Sequence, residues 1–247
     1  MLCEPLLAPL SSLRGISPKH AGLIRKVAGG SRVIDLLFTM PDHVIDRRAT
    51  MPLDQARDAL APGSILTLDV EVVGIERPHR PRQPFRVRAT DGTDELDIVF
   101  FHAHFLRDVH VGDRLAVSGK LEHYGSRLSM PHPDFMLPIN RRNEIPAIEP
   151  VWPLTAGLFS SVMRRAMHAA LACLPEDLPE WLDPALLKAR KWPDFRAALR
   201  MVHAPVAASD AEYTALSTRA RARLAFDELL ADQLCLGLAP VSYTHLT

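Results

Sequence analysis

Alternating apolar and polar residues over positions 65–134 constrain the fold of this chain more than any other feature. A period of two is typical of half-buried β-strands, because successive side chains point to opposite faces. In the first run Thr67, Asp69 and Glu71 are expected to face away from the apolar residues between them. The inward-facing set predicted over all runs is Leu66, Leu68, Val70, Val72, Phe85, Val87, Ala89, Leu96, Ile98, Phe100, Leu115, Val117, Leu128 and Met130.

The breaks between these runs carry turn-forming residues. Asp91-Gly92 is a strong hairpin signal, because a residue that tolerates left-handed backbone followed by glycine suits a tight turn. Gly112-Asp113 is a weaker signal of the same kind. Five short strands with a longer excursion between the third and fourth predict a small closed barrel of the OB type. An ordinary antiparallel sandwich is the alternative that this pattern leaves open.

Short helices are predicted before the strands. Ser17 is placed to cap a helix that begins at Pro18, and Ser31 to cap a second one that Pro41 ends. Two short helices around a glycine-containing turn resemble a helix-hairpin-helix, which would present Lys19 and backbone N–H groups to a phosphate. Ser17 replaces the second glycine of that turn, so packing against the barrel is the favoured role.

A second helical segment follows the strands. Thr155 is expected to cap one helix and Asp194 another, and residues 217–238 form the longest, with an apolar leucine stripe. Arg219, Arg221 and Arg223 lie near the start of that helix, where the helix dipole disfavours cations. A solvated face is the commoner reason for such a cluster, and an acidic partner or a phosphate is the alternative.

The predicted class is therefore α+β: a small five-stranded OB-type β-barrel flanked by N-terminal and C-terminal helical segments. We expect an N-terminal helical region over 1–60, the barrel over 61–140, and an extended linker with helices over 141–238. Residues 239–247 continue neither the charge nor the periodicity of the last helix. They resemble translated adapter sequence, and we expect a truncated chain with a non-native tail.

Charge and cysteine content limit the classes of function. The formal net charge is zero, so any binding to nucleic acid must rest on a local patch. Cys3, Cys173 and Cys235 are few and far apart, which predicts reduced, buried thiols in a cytoplasmic protein. Glu4 interrupts the N-terminal apolar residues, so no signal peptide is expected, and no apolar run is long enough to predict a membrane span.

No catalytic motif is present in the sequence. Gly119-Lys120 is the nearest match to a phosphate-binding loop, but Leu121 follows where that motif requires Ser or Thr. His102 and His104 are spaced to share a strand face, yet no carboxylate or cysteine pattern completes a metal site. We therefore expect no catalytic residue, no metal and no cofactor in this chain.

Binding to nucleic acid is better supported, because cations cluster in the first hairpin of the predicted barrel. Three prolines hold that hairpin extended, and an extended basic arm beside a barrel face is suited to tracking phosphates. One side of the barrel must carry the patch, since the barrel as a whole has about as many acids as bases. The cations are Arg77, His79, Arg80, Arg82, Arg86 and Arg88.

Aromatic residues lie close to this hairpin in the sequence. Phe100, Phe101, Phe105 and Tyr124 supply the rings. Alternation places Phe100 in the core and Phe101 towards solvent, where it is suited to stacking on a base. A half-buried Phe101 under a loop is the alternative.

These residues resemble, in the same order, the N-terminal wedge portion of the RecG family of bacterial ATP-dependent DNA helicases. Ser17 stands where the family has Gly, His102 where Asn commonly follows the two Phe residues, and Trp152 where Tyr is usual. The matching segments cover residues 10–238: Leu13-Arg14-Gly15-Ile16-Ser17-Pro18-Lys19, Val33-Ile34-Asp35-Leu36-Leu37-Phe38 with Pro41, Asp46-Arg47-Arg48, Phe100-Phe101, Gly119-Lys120, Met130-Pro131-His132-Pro133, Val151-Trp152-Pro153-Leu154-Thr155-Ala156-Gly157-Leu158 and Arg223-Leu224-Ala225-Phe226-Asp227-Glu228-Leu229-Leu230.

The resemblance implies that the barrel is a wedge that grips a replication fork or Holliday junction and parts its strands. The wedge aromatic maps onto Phe100-Phe101, and alternation selects Phe101. ATP and Mg²⁺ belong to helicase lobes that lie beyond this chain, so the chain is expected to bind branched DNA and hydrolyse nothing. A monomer is expected, with single-strand-binding protein as a further partner. The competing hypothesis is an independent OB module that binds single strands or docks a protein.

Overall fold

The computed structural model describes residues 4–78, 83–101, 106, 108–125, 127–207 and 209–238. These residues form two compact units. The helical unit lies within Met1–Val44 and Pro150–Thr247, and the sheet unit within Ile45–Glu149. The sheet unit is wider than the predicted barrel region, because residues on both flanks of the barrel pack into it.

Strands and helices are assigned as follows in the described residues. The α-helices are α1 (Glu4–Leu7), α2 (Pro18–Ala28), α3 (Val33–Leu37), α4 (Leu53–Ala59), α5 (Ser160–Ala172), α6 (Pro184–Arg190), α7 (Phe195–His203) and α8 (Asp210–Leu238). Short 3₁₀ helices cover Leu10–Ser12 and Ile139–Glu144. The strands are β1 (His43–Asp46), β2 (Ile65–Glu76), β3 (Phe85–Thr90), β4 (Glu95–Phe100), β5 (Arg114–Lys120), β6 (Glu122–Tyr124), β7 (Arg127–Pro131), β8 (Phe135–Pro138) and β9 (Ile148–Val151).

The main sheet has seven strands in the order β6-β7-β4-β3-β2-β5-β8, and β1 pairs with β9 in a separate two-stranded sheet. The pairing of β4 with β7 is parallel, and the other pairings in the main sheet are antiparallel. The α+β class is confirmed, but no closed five-stranded barrel is found among the described residues. The two additional strands, β6 and β8, have only three and four residues, too few for alternation to reveal them.

The core of the sheet unit follows the predicted alternation. Every residue of the predicted inward set is buried except Phe85, which is half-buried against the same core. Asp69 and Glu71 are exposed as expected, whereas Thr67 is buried on the opposite face of β2. The Thr67 hydroxyl donates to the Arg47 carbonyl oxygen at 2.9 Å, so the segment that follows β1 covers this part of the face.

Gly119 marks a close approach of β5 to the chain that leaves β7. A Cβ at this position would lie 2.9 Å from Pro133 Cα and 3.1 Å from Met130 Cγ. A residue without a side chain is therefore required for packing, and the Gly119-Lys120 pair has a structural role here.

Capping interactions set the ends of several helices. Ser17 Oγ accepts a hydrogen bond from the His20 N–H at 3.3 Å, and Asp194 Oδ1 caps α7 by accepting from the Ala197 N–H at 2.7 Å. Both caps match the sequence prediction. The cap predicted at Ser31 is wrong, because the Asp35 carboxylate accepts from the backbone N–H of Arg32 at 2.8 Å and closes the start of α3 instead.

Two further helix starts differ from prediction. Thr155 precedes α5 without capping it, since the helix begins at Ser160 after Phe159. Helix α8 begins at Asp210, seven residues before the predicted start. Leu224 on its stripe is buried, whereas Leu234 and Leu238 are exposed. Residues of α2 and α3 share one apolar core with α5, α7 and Leu224 of α8, so the two helical segments predicted as separate regions form one unit.

Candidate nucleic-acid interface

Strand register brings two arginines, one phenylalanine and one histidine to the same end of the main sheet. Arg86 pairs with Glu76 on β2 and with Val99 on β4, and Val99 pairs with Pro131 on β7. The strands β2, β4 and β7 all end close to these paired residues, at the same end of the sheet. The next residues along the chain are Arg77 after β2, Phe101 after β4 and His132 after β7. We call this end, defined by Arg77, Arg86, Phe101 and His132, the hairpin edge.

The cations of the hairpin edge point towards open space. Arg77 is exposed and Arg86 half-buried, and no ion pair with either occurs among the described residues. Both line an open cleft of about 910 Å³, together with residues 109–111 of the loop that precedes β5. The predicted contacts Arg80 and Arg82, like His79, lie outside the described residues.

Arg88 contributes less positive charge than the sequence suggests. Its Nε lies 3.5 Å from Glu76 Oε1, and this loose ion pair leaves Nε without a hydrogen bond in the described part of the chain. Gly74 makes room for the guanidinium, since a Cβ there would lie 3.0 Å from Arg88 Nη2. Part of the field of Arg88 is therefore cancelled within the protein.

Arg127 is a cation that the sequence analysis missed. It lies on β7, where Arg127 and Ser129 face outward and Leu128 and Met130 point into the core. Arg127 Nη1 is 3.6 Å from Asp97 Oδ2, so this charge is also partly balanced. The alternation of 127–130 was the available signal.

The two adjacent phenylalanines have opposite environments. Phe100 is 2% exposed and Phe101 57% exposed, as alternation predicted. The burial of Phe100 removes its ring from any contact surface of this conformation. The Phe101 ring stacks on His132, with ring centroids 5.3 Å apart and planes inclined by 27°. Phe105 lies outside the described residues.

The two remaining predicted contacts lie on other elements. Tyr124 is 74% exposed, but it pairs with Arg127 at the far end of β6. It is roughly six residues from Phe101 along the strand direction, or about 20 Å. Lys19 is exposed in the first turn of α2, in the helical unit.

His132 is held by the backbone beneath the Phe101 ring. Its φ is +47°, and its N–H donates to the Val99 carbonyl oxygen at 2.9 Å. Two residues later, Asp134 Oδ2 accepts a hydrogen bond from Arg47 Nη2 at 2.9 Å. These two contacts fix the loop after β7 at both ends. The sequence pattern gave no indication that His132 would lie beside Phe101.

A buried arginine anchors that loop from below. Arg47 is 3% exposed, and its Nε donates to Glu149 Oε2 at 2.8 Å while its Nη1 donates to Ser118 Oγ at 3.1 Å. Its guanidinium also lies 4.9 Å from the centre of the Phe135 ring. The Asp46-Arg47-Arg48 segment therefore has a structural role in the sheet unit.

Two arginines of the α8 cluster have structural roles as well. Arg223 is fully buried, with Nη2 donating to Glu180 Oε1 and Nε to Asp227 Oδ2, both at 2.8 Å. Burial alone would lower the pKa of Arg223, but its hydrogen bonds to the two carboxylates outweigh burial and raise that pKa. Arg221 donates to the Pro41 carbonyl oxygen at 2.7 Å. The acidic partners of Arg223 thus lie within the chain itself.

A buried histidine joins the N-terminal and C-terminal parts of the helical unit. His203 Nδ1 accepts from the Trp152 indole N–H at 3.1 Å, and His203 Nε2 lies 2.7 Å from the Leu37 carbonyl oxygen. These partners fit a neutral ring with its proton on Nε2. Burial lowers the pKa of His203 to about 4, and nearby Arg221 adds to this effect.

The two described cysteines have different environments. Cys173 is half-buried, which raises its thiol pKa, and Cys235 is exposed, so the prediction of buried thiols is wrong for Cys235. Cys3, His102 and His104 lie outside the described residues. Within the described residues there is no group of three or more His, Cys, Asp or Glu side chains arranged for a metal ion. A helix long and apolar enough to span a membrane is likewise absent from that part of the chain.

Comparison with known proteins relates the chain to one family, although no protein-family model matches it. The ATP-dependent DNA helicase RecG of Aquifex aeolicus (strain VF5) is 26% identical over 225 residues, covering 86% of this chain and 28% of that protein. The same helicase of Bacillus subtilis (strain 168) is 28% identical over 137 residues, covering 56% of this chain and 19% of that protein.

A solved structure of RecG bound to a three-way DNA junction matches with a TM-score of 0.73 and 23% identity, over 93% of this chain and 31% of that one. The likeness shows a shared fold. The chain spans less than a third of the length of each of these relatives. Sequence and fold together confirm the resemblance that the motifs predicted: the chain is similar to a part of RecG, the ATP-dependent DNA helicase.

Proposed function

We propose that this chain is the junction-binding wedge portion of a RecG-like ATP-dependent DNA helicase of recombination and repair. The sheet unit binds branched DNA, Phe101 stacks at the branch point, and the hairpin edge contacts the phosphates beside it. The observation that carries this proposal is the presence of an exposed aromatic ring and two cations at one end of the sheet. Its relative of solved structure is described as bound to a three-way junction.

The geometry suits a branch point better than an uninterrupted duplex. Phe101 is 57% exposed at the end of β4, where it can cover a base pair whose neighbour has been removed. An intact duplex has no such unstacked face for the ring, whereas a fork has one at each arm. Stacking of a base on an aromatic side chain is worth about 1–3 kcal/mol.

The charge arrangement predicts modest, salt-sensitive affinity. Arg77 and Arg86 are available for phosphates, whereas Arg88 and Arg127 each lie near a carboxylate of the same face. Each phosphate contact contributes about 0.9 to the slope of log K against log salt on duplex DNA. The described cations therefore offer few ionic contacts to DNA, and we expect the preference for forks to rest on the aromatic contact.

ATP hydrolysis is assigned to helicase lobes outside this chain, where ATP and Mg²⁺ would bind. No phosphate-binding loop occurs in the 247 residues, and Gly119-Lys120 is explained by packing. The chain accordingly binds DNA without hydrolysing ATP.

The test is the affinity of residues 1–238 for a three-way fork and for a linear duplex of matched length and sequence, at two salt concentrations. We expect tighter binding to the fork at both, and weaker binding to either DNA at higher salt. Equal affinity for the two DNAs, or affinity for single strands alone, would reject the proposal and leave the independent OB module.

A further inference from the structure

His132 has an unusual backbone conformation for a histidine between two prolines. Its φ of +47° lies in the left-handed region, which few residues other than glycine adopt. Two contacts with β4 hold the backbone at this point: Pro131 pairs with Val99 in the β4–β7 ladder, and the His132 N–H donates to the Val99 carbonyl oxygen at 2.9 Å. The imidazole is therefore presented by a fixed backbone.

The rings around His132 form a small aromatic stack. The imidazole lies edge-on to the buried Phe100 ring, with centroids 6.0 Å apart and planes at 85°. It lies nearly parallel to the exposed Phe101 ring, at 5.3 Å and 27°. His132 thus links a ring of the core to the ring at the surface.

The loop that carries His132 is anchored in the interior. Asp134 accepts a hydrogen bond from the buried Arg47 at 2.9 Å, and Pro133 approaches β5 so closely that only glycine fits at position 119. An exposed side chain without such support loses rotamer freedom when it binds, at a cost to affinity. A ring stacked on a fixed partner has less freedom to lose.

We infer that His132 is a positioning residue that orients Phe101 for stacking at the DNA branch point. This inference rests on the proposed function and deepens it. The gain from holding one such side chain in place corresponds to about a two- to tenfold change in affinity. The effect is confined to the branch point, since the base pairs inside a duplex offer Phe101 no unstacked face.

The test uses His132→Asn, because asparagine tolerates positive φ and removes the imidazole. We expect the ratio of fork to duplex affinity to fall by about two- to tenfold in the presence of Phe101. In a Phe101→Ala background the same substitution should leave the ratio unchanged. The control is His168→Asn, an exposed histidine on α5, which should change neither ratio.

A second measurement reports the contact without DNA. In protein labelled with 4-fluorophenylalanine, the ¹⁹F signal of Phe101 is identified by its loss in Phe101→Ala, and it should move in His132→Asn. An unmoved signal, an unchanged fork ratio, or an equal fall in both backgrounds would overturn the positioning role. If the wild-type chain itself shows no fork preference, the proposed function fails and the inference fails with it. If the wild-type chain prefers the fork and His132→Asn keeps the full wild-type ratio, only the inference fails.

Discussion

Replacement of Arg47 by alanine should destabilise the sheet unit strongly, because it would remove the buried arginine that pairs with the buried Glu149 carboxylate. The Arg47 side chain is 1% exposed and that of Glu149 9% exposed, whereas that of Asp134 is 47% exposed. Solvent screening makes the Asp134 contact worth little, so the contact with Glu149 decides the magnitude. Breaking a buried ion pair by removing one partner costs about 3–5 kcal/mol.

The neighbouring Arg48 supplies a matched control. Its side chain is 24% exposed and pairs with Asp46, whose side chain is 47% exposed. Pairs near the surface contribute about 0–1 kcal/mol, so Arg48→Ala should be nearly neutral. The two variants differ by one position in the sequence and remove the same side chain.

Urea unfolding followed by far-UV circular dichroism measures the difference, and hydrogen exchange locates it. With a slope of about 2 kcal/mol/M, Arg47→Ala should lower the midpoint of the sheet unit by about 1.5–2.5 M. Faster amide exchange is expected in β5 and β8, because Arg47 contacts Ser118 on β5 and Asp134 directly before β8. A loss below about 1 kcal/mol, no greater than that of Arg48→Ala, would refute the assignment of Arg47 as a buried anchor.

Three further predictions test other parts of the structure. Gly119→Ala should lower the free energy of unfolding by about 1–3 kcal/mol, because the added methyl group overpacks the contact with Pro133 and Met130. Gly22→Ala, in open space on α2, should raise the free energy of unfolding by up to about 1 kcal/mol. Equal effects of the two variants in urea unfolding would contradict the close approach of Gly119 to Pro133. The pKa of His203 is about 4 when folded, below its unfolded value of about 6.5, so the unfolded state binds the proton first. The helical unit should therefore lose about 3 kcal/mol of stability as pH falls from 7 to 4, and His203→Gln should flatten this dependence in unfolding measured across that range. Arg86→Ala should reduce the slope of log K against log salt by about 0.9. Arg88→Ala should reduce it by less, because Arg88 pairs with Glu76. An equal reduction in the two variants would show that Glu76 does not screen Arg88.

Local features of the structure could be predicted from the sequence, because they depend on residues close together along the chain. Ser17 and Asp194 cap their helices within three residues, and alternation separated Phe100 from Phe101. The long-range polar contacts could not be predicted. Arg47 and Glu149 are 102 positions apart, and the arginine of α8 that pairs with Glu180 had the pattern of a solvated face.

The candidate site was predictable only in part for a similar reason. The basic hairpin and the exposed phenylalanine were visible as composition and alternation, which are properties of single segments. The pairing of β4 with β7, which brings His132 under Phe101, depends on a parallel register that no local pattern encodes. The position of Tyr124 also depends on strand pairing, because its pairing with Arg127 places it at the end of β6 and not beside Phe101.

The most direct test of the central claim is the effect of Phe101→Ala on the ratio of fork to duplex affinity. Phe159→Ala is the control, because Phe159 is a similarly exposed phenylalanine in the helical unit, at 70% against 57% for Phe101. We predict that Phe101→Ala lowers fork affinity by about 1–3 kcal/mol and leaves duplex affinity unchanged, while Phe159→Ala changes neither. A fork ratio that is the same in Phe101→Ala as in the wild type would contradict the wedge assignment.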